Sequence, residues 1–329
     1  MSIPYFLFLS EMCAIIFMMI VIDGEAFRMK VIPGDKVIYT FKHDMDYVDK
    51  VSVGERFKVV TNDCWFQQIK SENQAIEQID FNVVNPATGP IYVEGAEPGD
   101  VLKVKIIDIA VSDYGSVAVI PNEGLLGDKV TKPVVKIVRV EEDYAIFNGM
   151  KLSIDPMIGV IGVAPALEDG EWPTGSPWHH GGNMDTTDIK IGSTLYFPVN
   201  QRGALLALGD CHARMGDGEV CVTGLEIRAE VTLEVDVIKH KAITWPIVET
   251  DEYIMVISSG DSLEKASYES TNQVVEYLKN GLKISWEDAY MLASLVVDLK
   301  ISQLVDPKVT VRAAIPKYVL PINKLMEAL

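Results

Sequence analysis

The chain has 329 residues, a formal net charge of −18, 48% hydrophobic residues and 23% charged residues. That composition supports a substantial core, as one large or two modest domains, and excludes a disordered chain. The acidic balance argues against nucleic acid as a partner, because phosphate contacts need a basic face, and it disfavours an anionic membrane surface.

Residues 1–28 contain "IPYFLFLSEMCAIIFMMIVI", roughly the length of a membrane span. Glu11 interrupts it, no basic residue precedes it, and no small-residue cleavage site follows, so neither an anchor nor a signal peptide fits well. The favoured reading is a non-globular leader, spurious or unstructured, with a membrane anchor as the alternative. Met29 then opens "MKVIPGDKVIYTF", the start of a domain spanning 29–329.

From residue 29 to about 240 a glycine turn followed by apolar alternation recurs, as in "PGDKVIYTF" (33–41), "VGERFKVVT" (53–61), "PGDVLKVKIIDI" (98–109) and "IGSTLYFPV" (191–199). Such turns followed by period-two hydrophobicity indicate hairpins in a sheet. "SENQAIEQID" (71–80) is expected to form a short helix. Residues 262–305 show helical spacing in two runs, with Ser262 and Ser285 as N-caps, Gly281 as a C-cap and Ser285 with Asp288 as a capping box. "KVTVRAAIPKYVL" (308–320) is expected to return to the sheet. The expected class is mainly β, of sandwich type, with an added helical pair near the C-terminus (α+β).

The four cysteines, Cys13, Cys64, Cys211 and Cys221, show no CxxC spacing, so a reduced cytoplasmic chain is the simplest reading. Nucleophile and nucleotide motifs are absent: no GxSxG, no GxGxxG, no Walker A loop. Asp63 beside Cys64 would raise the thiol pKa, the wrong direction for a nucleophile.

Two histidine-bearing stretches remain. In "GALLALGDCHARMGDGEV" (203–220), Asp210 and His212 are two apart, so on a strand end both leave one face. A carboxylate and an imidazole aimed into one pocket begin a metal site. Asp217 and Glu219 are read chiefly as turn formers. In "HHGGNMD" (179–185), His180 and Asp185 are further metal donors, and Asn183 could orient a carbonyl or a water. His43 and His240 lie in charged strings that read as solvated. Asp63 at a strand tip, Glu94 before a glycine turn and Glu226 inside an apolar strand are either solvent-facing or, if inward, paired or metal-bound.

These stretches, with "NPATGPIYVEGAEPGDVL" (85–102) and "KVTVRAAIPKYVL", resemble the acetamidase/formamidase family from about Lys30 to Leu320. The resemblance implies a mostly β fold, hydrolysis of short linear amides, a divalent metal and homo-oligomers, commonly dimers. It carries the family's ligand pattern onto Asp63, His180, Asp185, Asp210 and His212; His179 lies just outside it. The expected chemistry is a metal-activated water at zinc, with calcium as the alternative metal. Glu226 or Glu94 would move the proton, and Asn183 or the Gly181–Gly182 backbone would stabilise the oxyanion. The expected partner is a small amide, without nucleic acid or membrane. The rival readings are a hydrolase of cyclic or larger amides and a non-catalytic metal- or ligand-binding β-sandwich.

Overall fold

Alternating apolar and β-branched segments become strands, because one face of each is then buried. The longest, Val101–Val119, buries Val101, Leu102, Val104, Ile106 and Ile109 and pairs antiparallel with three others: Val134–Glu141, Thr194–Pro198 and Glu226–Ile238. The computed structural model describes residues 29–74 and 76–329; the leader 1–28 lies outside them. Among the described residues, eighteen strands join one continuous sheet and two short ones, Thr40–Phe41 and Trp172–Pro173, form a second. Two register shifts of Glu226–Ile238 against Val101–Val119 mark irregularities of the bulge type, which bend strands and raise their twist. The sheet folds over a core that includes Phe57, Ile91, Val104, Ile158, Leu208 and Val231. Residues 31–329 belong to one compact unit. The mainly β architecture with helices near the C-terminus matches the expected α+β class.

The helical pair is present near the C-terminus. Leu263–Leu282 starts at Ser262, whose hydroxyl oxygen accepts the Lys265 N–H at 3.2 Å, and Trp286–Val296 starts at Ser285, which accepts the Asp288 N–H at 3.0 Å. Each such cap stabilises its helix by about 1 kcal/mol. The long helix lays Ala266, Val274, Val275 and Leu278 on the sheet. A third helix, Ile322–Ala328, follows. No helix among the described residues is long and apolar enough to cross a membrane.

Four local expectations need correction. Among the described residues of 71–80 there is a 3-10 turn at Ile76–Gln78 and no α-helix, with a second 3-10 turn just beyond at Phe81–Val83, since so short a segment cannot offset the cost of nucleation. The second C-terminal helix stops at Val296, and Asp298–Gln303 is a strand on Val309–Pro316, as the alternation in "DLKISQ" permits. The helix runs through Gly281 and ends at Lys283 in a left-handed conformation, φ 56°. A Cβ at 281 would lie 2.6 Å from Leu320 Cδ1, so glycine there allows close packing. The final strand is shorter than 308–320, ending at Pro316.

Candidate metal centre

Leu206–His212 lies between Met157–Gly162 and Glu226–Ile238 in the sheet, and His212 is directly opposite Glu226 in register. Residues opposed across an antiparallel pair share a face, so Glu226 Oε1 stands 3.2 Å from His212 Nε2. Asp210, two residues back on the same strand, brings Oδ1 to 3.5 Å from that nitrogen. The chain leaving Gly181–Asn183, itself paired with Val160–Gly162, brings Asp185 Oδ1 to 3.8 Å. Glu219 enters from the 216–219 turn, and one ligand atom each from Asp185, His212 and Glu219 lie within 4.8 Å of one another. Cys64, Asp210 and Glu226 form a second such group beside it. Asp306 completes the cluster's edge, accepting the Asn183 Nδ2–H at 3.0 Å.

The backbone is bent to do this. Asp185, Asp210 and Glu219 have φ of 39°, 51° and 46°, left-handed values that cost non-glycine residues about 1–2 kcal/mol each. Two glycines make room for the side chains. A Cβ on Gly159 would lie 2.3 Å from Asp185 Oδ1 and 3.0 Å from Asp210 Oδ2, and one on Gly224 would lie 2.5 Å from His212 Nδ1.

Arg312 braces the surrounding turns. It is buried on Val309–Pro316 and donates from Nε to Asp188 at 2.7 Å, and from its terminal nitrogens to Asp217 at 2.8 Å, Thr187 Oγ1 at 3.1 Å and the Ile301 carbonyl at 2.8 Å. Gly218 N–H donates to the Ser302 carbonyl and Leu304 N–H to the Gly218 carbonyl, which ties the Glu219 turn to the end of the strand Asp298–Gln303. Gln303 Oε1 accepts the N–H groups of Val305 and Asp306, fixing the loop that carries Asp306.

Crowding acids in a dry site alters their protonation. Burial, then repulsion from Asp210, pushes the Asp185 pKa up to about 7 against the pull of His212. Burial lifts Glu226 to about 8; His212 opposes the rise and Asp210 adds to it. Glu219 and Asp306 are held well above the carboxylate range by burial and then by Asp185. Burial alone would lower the His212 pKa, but Glu226 and Asp210 outweigh it and hold it well above the usual value. Burial and then Glu226 raise the Cys64 thiol. Both nitrogens of His212, both carboxylate oxygens of Asp185, Asp210 Oδ1, Glu219 Oε2 and Glu226 Oε2 are buried without a hydrogen-bond partner among the described residues. Buried polar atoms in such number call for a ligand, and converging imidazole and carboxylate donors are compatible with a divalent cation.

Of the residues singled out from the sequence, the structure brings together Asp185, Asp210, His212, Glu226 and, at the edge, Asn183. It places three elsewhere. His180 is buried between Phe41 and Trp172, ring centroids 4.8 and 6.2 Å away, with both nitrogens unpartnered and its pKa lowered to about 3 by burial and by His179. Gly181 is opposite Gly162 and Asn183 opposite Val160, so His180 and Asp185 leave opposite ends of the short strand Gly181–Asn183. Asp63 is half-buried and accepts the Gln67 N–H at 2.7 Å, while its neighbour Cys64 points to the cluster. Glu94 is half-exposed at the surface, taking a hydrogen bond from Ser52 Oγ and an ion pair from Lys50. The backbone at Gly181 is also committed, its N–H donating to the Trp178 carbonyl. His43 is half-buried with Nδ1 on the Pro165 carbonyl, whereas His240 is exposed. Glu219, Cys64 and Asp306 were not read as site residues. Cys64 sits in a turn beyond the strand Arg56–Val60, where alternation gives no signal, and nothing local distinguishes Asp306.

A cavity of about 320 Å³ abuts the centre, with Glu219 and Gly224 in its wall.

The acetamidase/formamidase family profile matches residues 34–172 and 169–321. A predicted acetamidase/formamidase from Thermoanaerobacter tengcongensis superimposes with a TM-score of 0.87 at 43% identity, covering 90% of this chain and 99% of that one. The structure of an acetamidase from Bacillus halodurans gives 0.86 at 40% identity, with the same coverage. A formamidase from Methylophilus methylotrophus is 26% identical over 254 residues, 60% of this chain and 62% of that protein. The matches thus span a little under two thirds of the curated formamidases. With the profile covering most of the chain and the fold shared almost end to end, this protein belongs to the acetamidase/formamidase family.

Proposed function

We propose that the chain hydrolyses the carbon–nitrogen bond of a linear amide, giving a carboxylate and ammonia, at a zinc site built on His212, Asp185 and Glu219. The observation that carries this reading is the set of buried, unpartnered imidazole and carboxylate atoms converging on one point in a chain of this family. An imidazole in the donor set favours zinc over calcium, which takes oxygen ligands. A bound divalent ion supplies Lewis acidity toward a carbonyl and makes water more acidic.

The chain's own residues do the rest. Glu226 is buried, has one oxygen free of hydrogen bonds and is tuned near neutrality, so it can accept a proton from the attacking water and return it to the departing nitrogen. Asp210 lies between the two ligand groups and belongs to the charge that holds the cation. Asn183 is assigned to fixing Asp306, to which its amide already donates. His180, Asp63 and Glu94 have no part in this proposal.

A homodimer in a reducing cytoplasm is proposed as the setting. Trp286, Tyr290, Met291 and Leu295 leave one helix side apolar and exposed, and Cys64, Cys211 and Cys221 are free thiols. Ammonia release from formamide and acetamide, with metal content by elemental analysis before and after chelation, tests the activity. Turnover that persists in fully demetallated protein would sink the metal-dependent reading.

A further inference from the structure

The cavity beside the centre has walls of one kind and an end of another. Val117, Val138, Ala145, Phe147, Leu152 and Leu225 form an apolar lining, and Glu219 with Gly224, the glycine against His212, closes it on the side of the cluster. The other polar groups at its rim are already engaged. Arg214 donates to the Ser153 carbonyl, Asp217 is held by Arg312 and Thr187, and the Thr223 hydroxyl bonds the Ala118 backbone. Glu219, by contrast, is a buried member of the cluster whose Oε2 has no hydrogen-bond partner.

The volume decides what such a space suits. A water occupies about 30 Å³ of liquid, so formamide or acetamide would leave a cavity of about 320 Å³ mostly empty or wet. Pockets that enclose drug-sized ligands begin at about 300 Å³. We propose that this cavity receives the acyl group of the amide, and that the preferred substrates are primary amides with an apolar acyl chain of about four to six carbons, or an aryl group of that bulk. The inference rests on the amidase reading above. In the reaction the carbonyl carbon gains a bond to the water oxygen and loses its bond to nitrogen. Both protons of the water end on the nitrogen, leaving carboxylate and ammonium, while the acyl carbons stay in the cavity throughout.

The test is ammonia release by the metal-loaded full chain over formamide, acetamide, butyramide, hexanamide and benzamide. kcat/KM is expected to rise about fourfold per added methylene until the cavity is full, the value for a buried methylene. Turnover of formamide and acetamide with a flat or falling series overturns the acyl-pocket proposal and leaves the amidase reading standing. No ammonia from any amide ends both. Leu152→Trp narrows the mouth and is expected to lower the hexanamide-to-acetamide ratio at least tenfold; an unchanged ratio in a folded variant counts against the proposal. Phe147→Ala, which widens the same wall, should move the optimum to longer chains, and an unmoved optimum again overturns it.

Discussion

Gly159 lies against Asp185: a single methyl on the glycine would stand 2.3 Å from the carboxylate oxygen and 2.8 Å from the Asp210 carbonyl. Gly159→Ala is therefore expected to displace both acids, cost about 1–3 kcal/mol from overpacking, and cut bound metal sharply while the far-ultraviolet circular dichroism stays that of the parent. Full metal content in Gly159→Ala would mean that these two carboxylates are not ligands.

Glu226→Gln keeps the shape of the proposed proton carrier and removes its charge. The expected loss in kcat is about 10²–10⁴-fold. Metal-free Glu226→Gln should melt no lower than the parent, because a crowded acid has gone. A variant that is less stable but fully active contradicts both halves of the assignment.

His180 and His212 are expected to behave oppositely. His180→Leu removes two buried unpartnered nitrogens from between Phe41 and Trp172, so it should raise stability by about 1 kcal/mol and leave metal content unchanged. His212→Leu should lose the metal. Elemental analysis and urea unfolding of the two variants check this, and metal loss in His180→Leu would return His180 to the ligand set.

The pH dependence has an unusual sign. Asp185 and Glu226 have folded-state pKa values raised to about 7 and about 8, so between about pH 4 and those values the folded protein binds more protons than the unfolded one. Raised carboxyls contribute stability at low pH that is lost as pH rises through the folded values. His212, also raised, acts in the same direction. The melting temperature of metal-free protein should fall from pH 5 to pH 8. Metal should reverse the fall, by about 4 kcal/mol at a thousandfold excess over Kd, and binding at pH 7 should release protons into a weak buffer. Uptake of protons, or a melting temperature that climbs with pH, would contradict this.

Arg312→Met tests the brace. It leaves Asp188 and Asp217 without their cation, for an expected cost of about 3 kcal/mol, the low end for a broken buried pair because Asp217 is 43% exposed. It also frees the Glu219 turn, so kcat should fall even in samples confirmed folded. Arg312→Lys should recover part of the stability and less of the activity, since one ammonium cannot reach every partner of the guanidinium.

Much of this site could be read from local pattern. The i, i+2 spacing of Asp210 and His212 put two donors on one face, and a carboxylate inside the apolar run "TGLEI" marked Glu226. What escaped depended on register and turns. Nothing in the sequence states that position 226 lies opposite 212, or that a glycine-flanked acid at 219 turns inward instead of decorating a hairpin. His180 illustrates the converse: a histidine in a glycine-rich loop five residues from Asp185 packs between Phe41 and Trp172, outside the cluster, and its spacing in the sequence does not show this. In the fold, apolar alternation located most strands. It failed at 298–303, where helical and strand periods overlap in a short apolar run and only pairing with Val309–Pro316 decides.

The left-handed backbone at Asp185, Asp210 and Glu219 has a consequence for dissecting this centre residue by residue. Alanine at any of the three deletes a charge and also forces a conformation that alanine resists, so its effect mixes electrostatics with chain strain. Asparagine, which tolerates that region better than most residues, isolates the charge at 185 and 210. Glycine does the reverse, relaxing the chain while removing the donor. If Asp210→Asn and Asp210→Gly differ widely in metal affinity at equal stability, the site depends on a side chain held in place; if they agree, it depends on the charge alone.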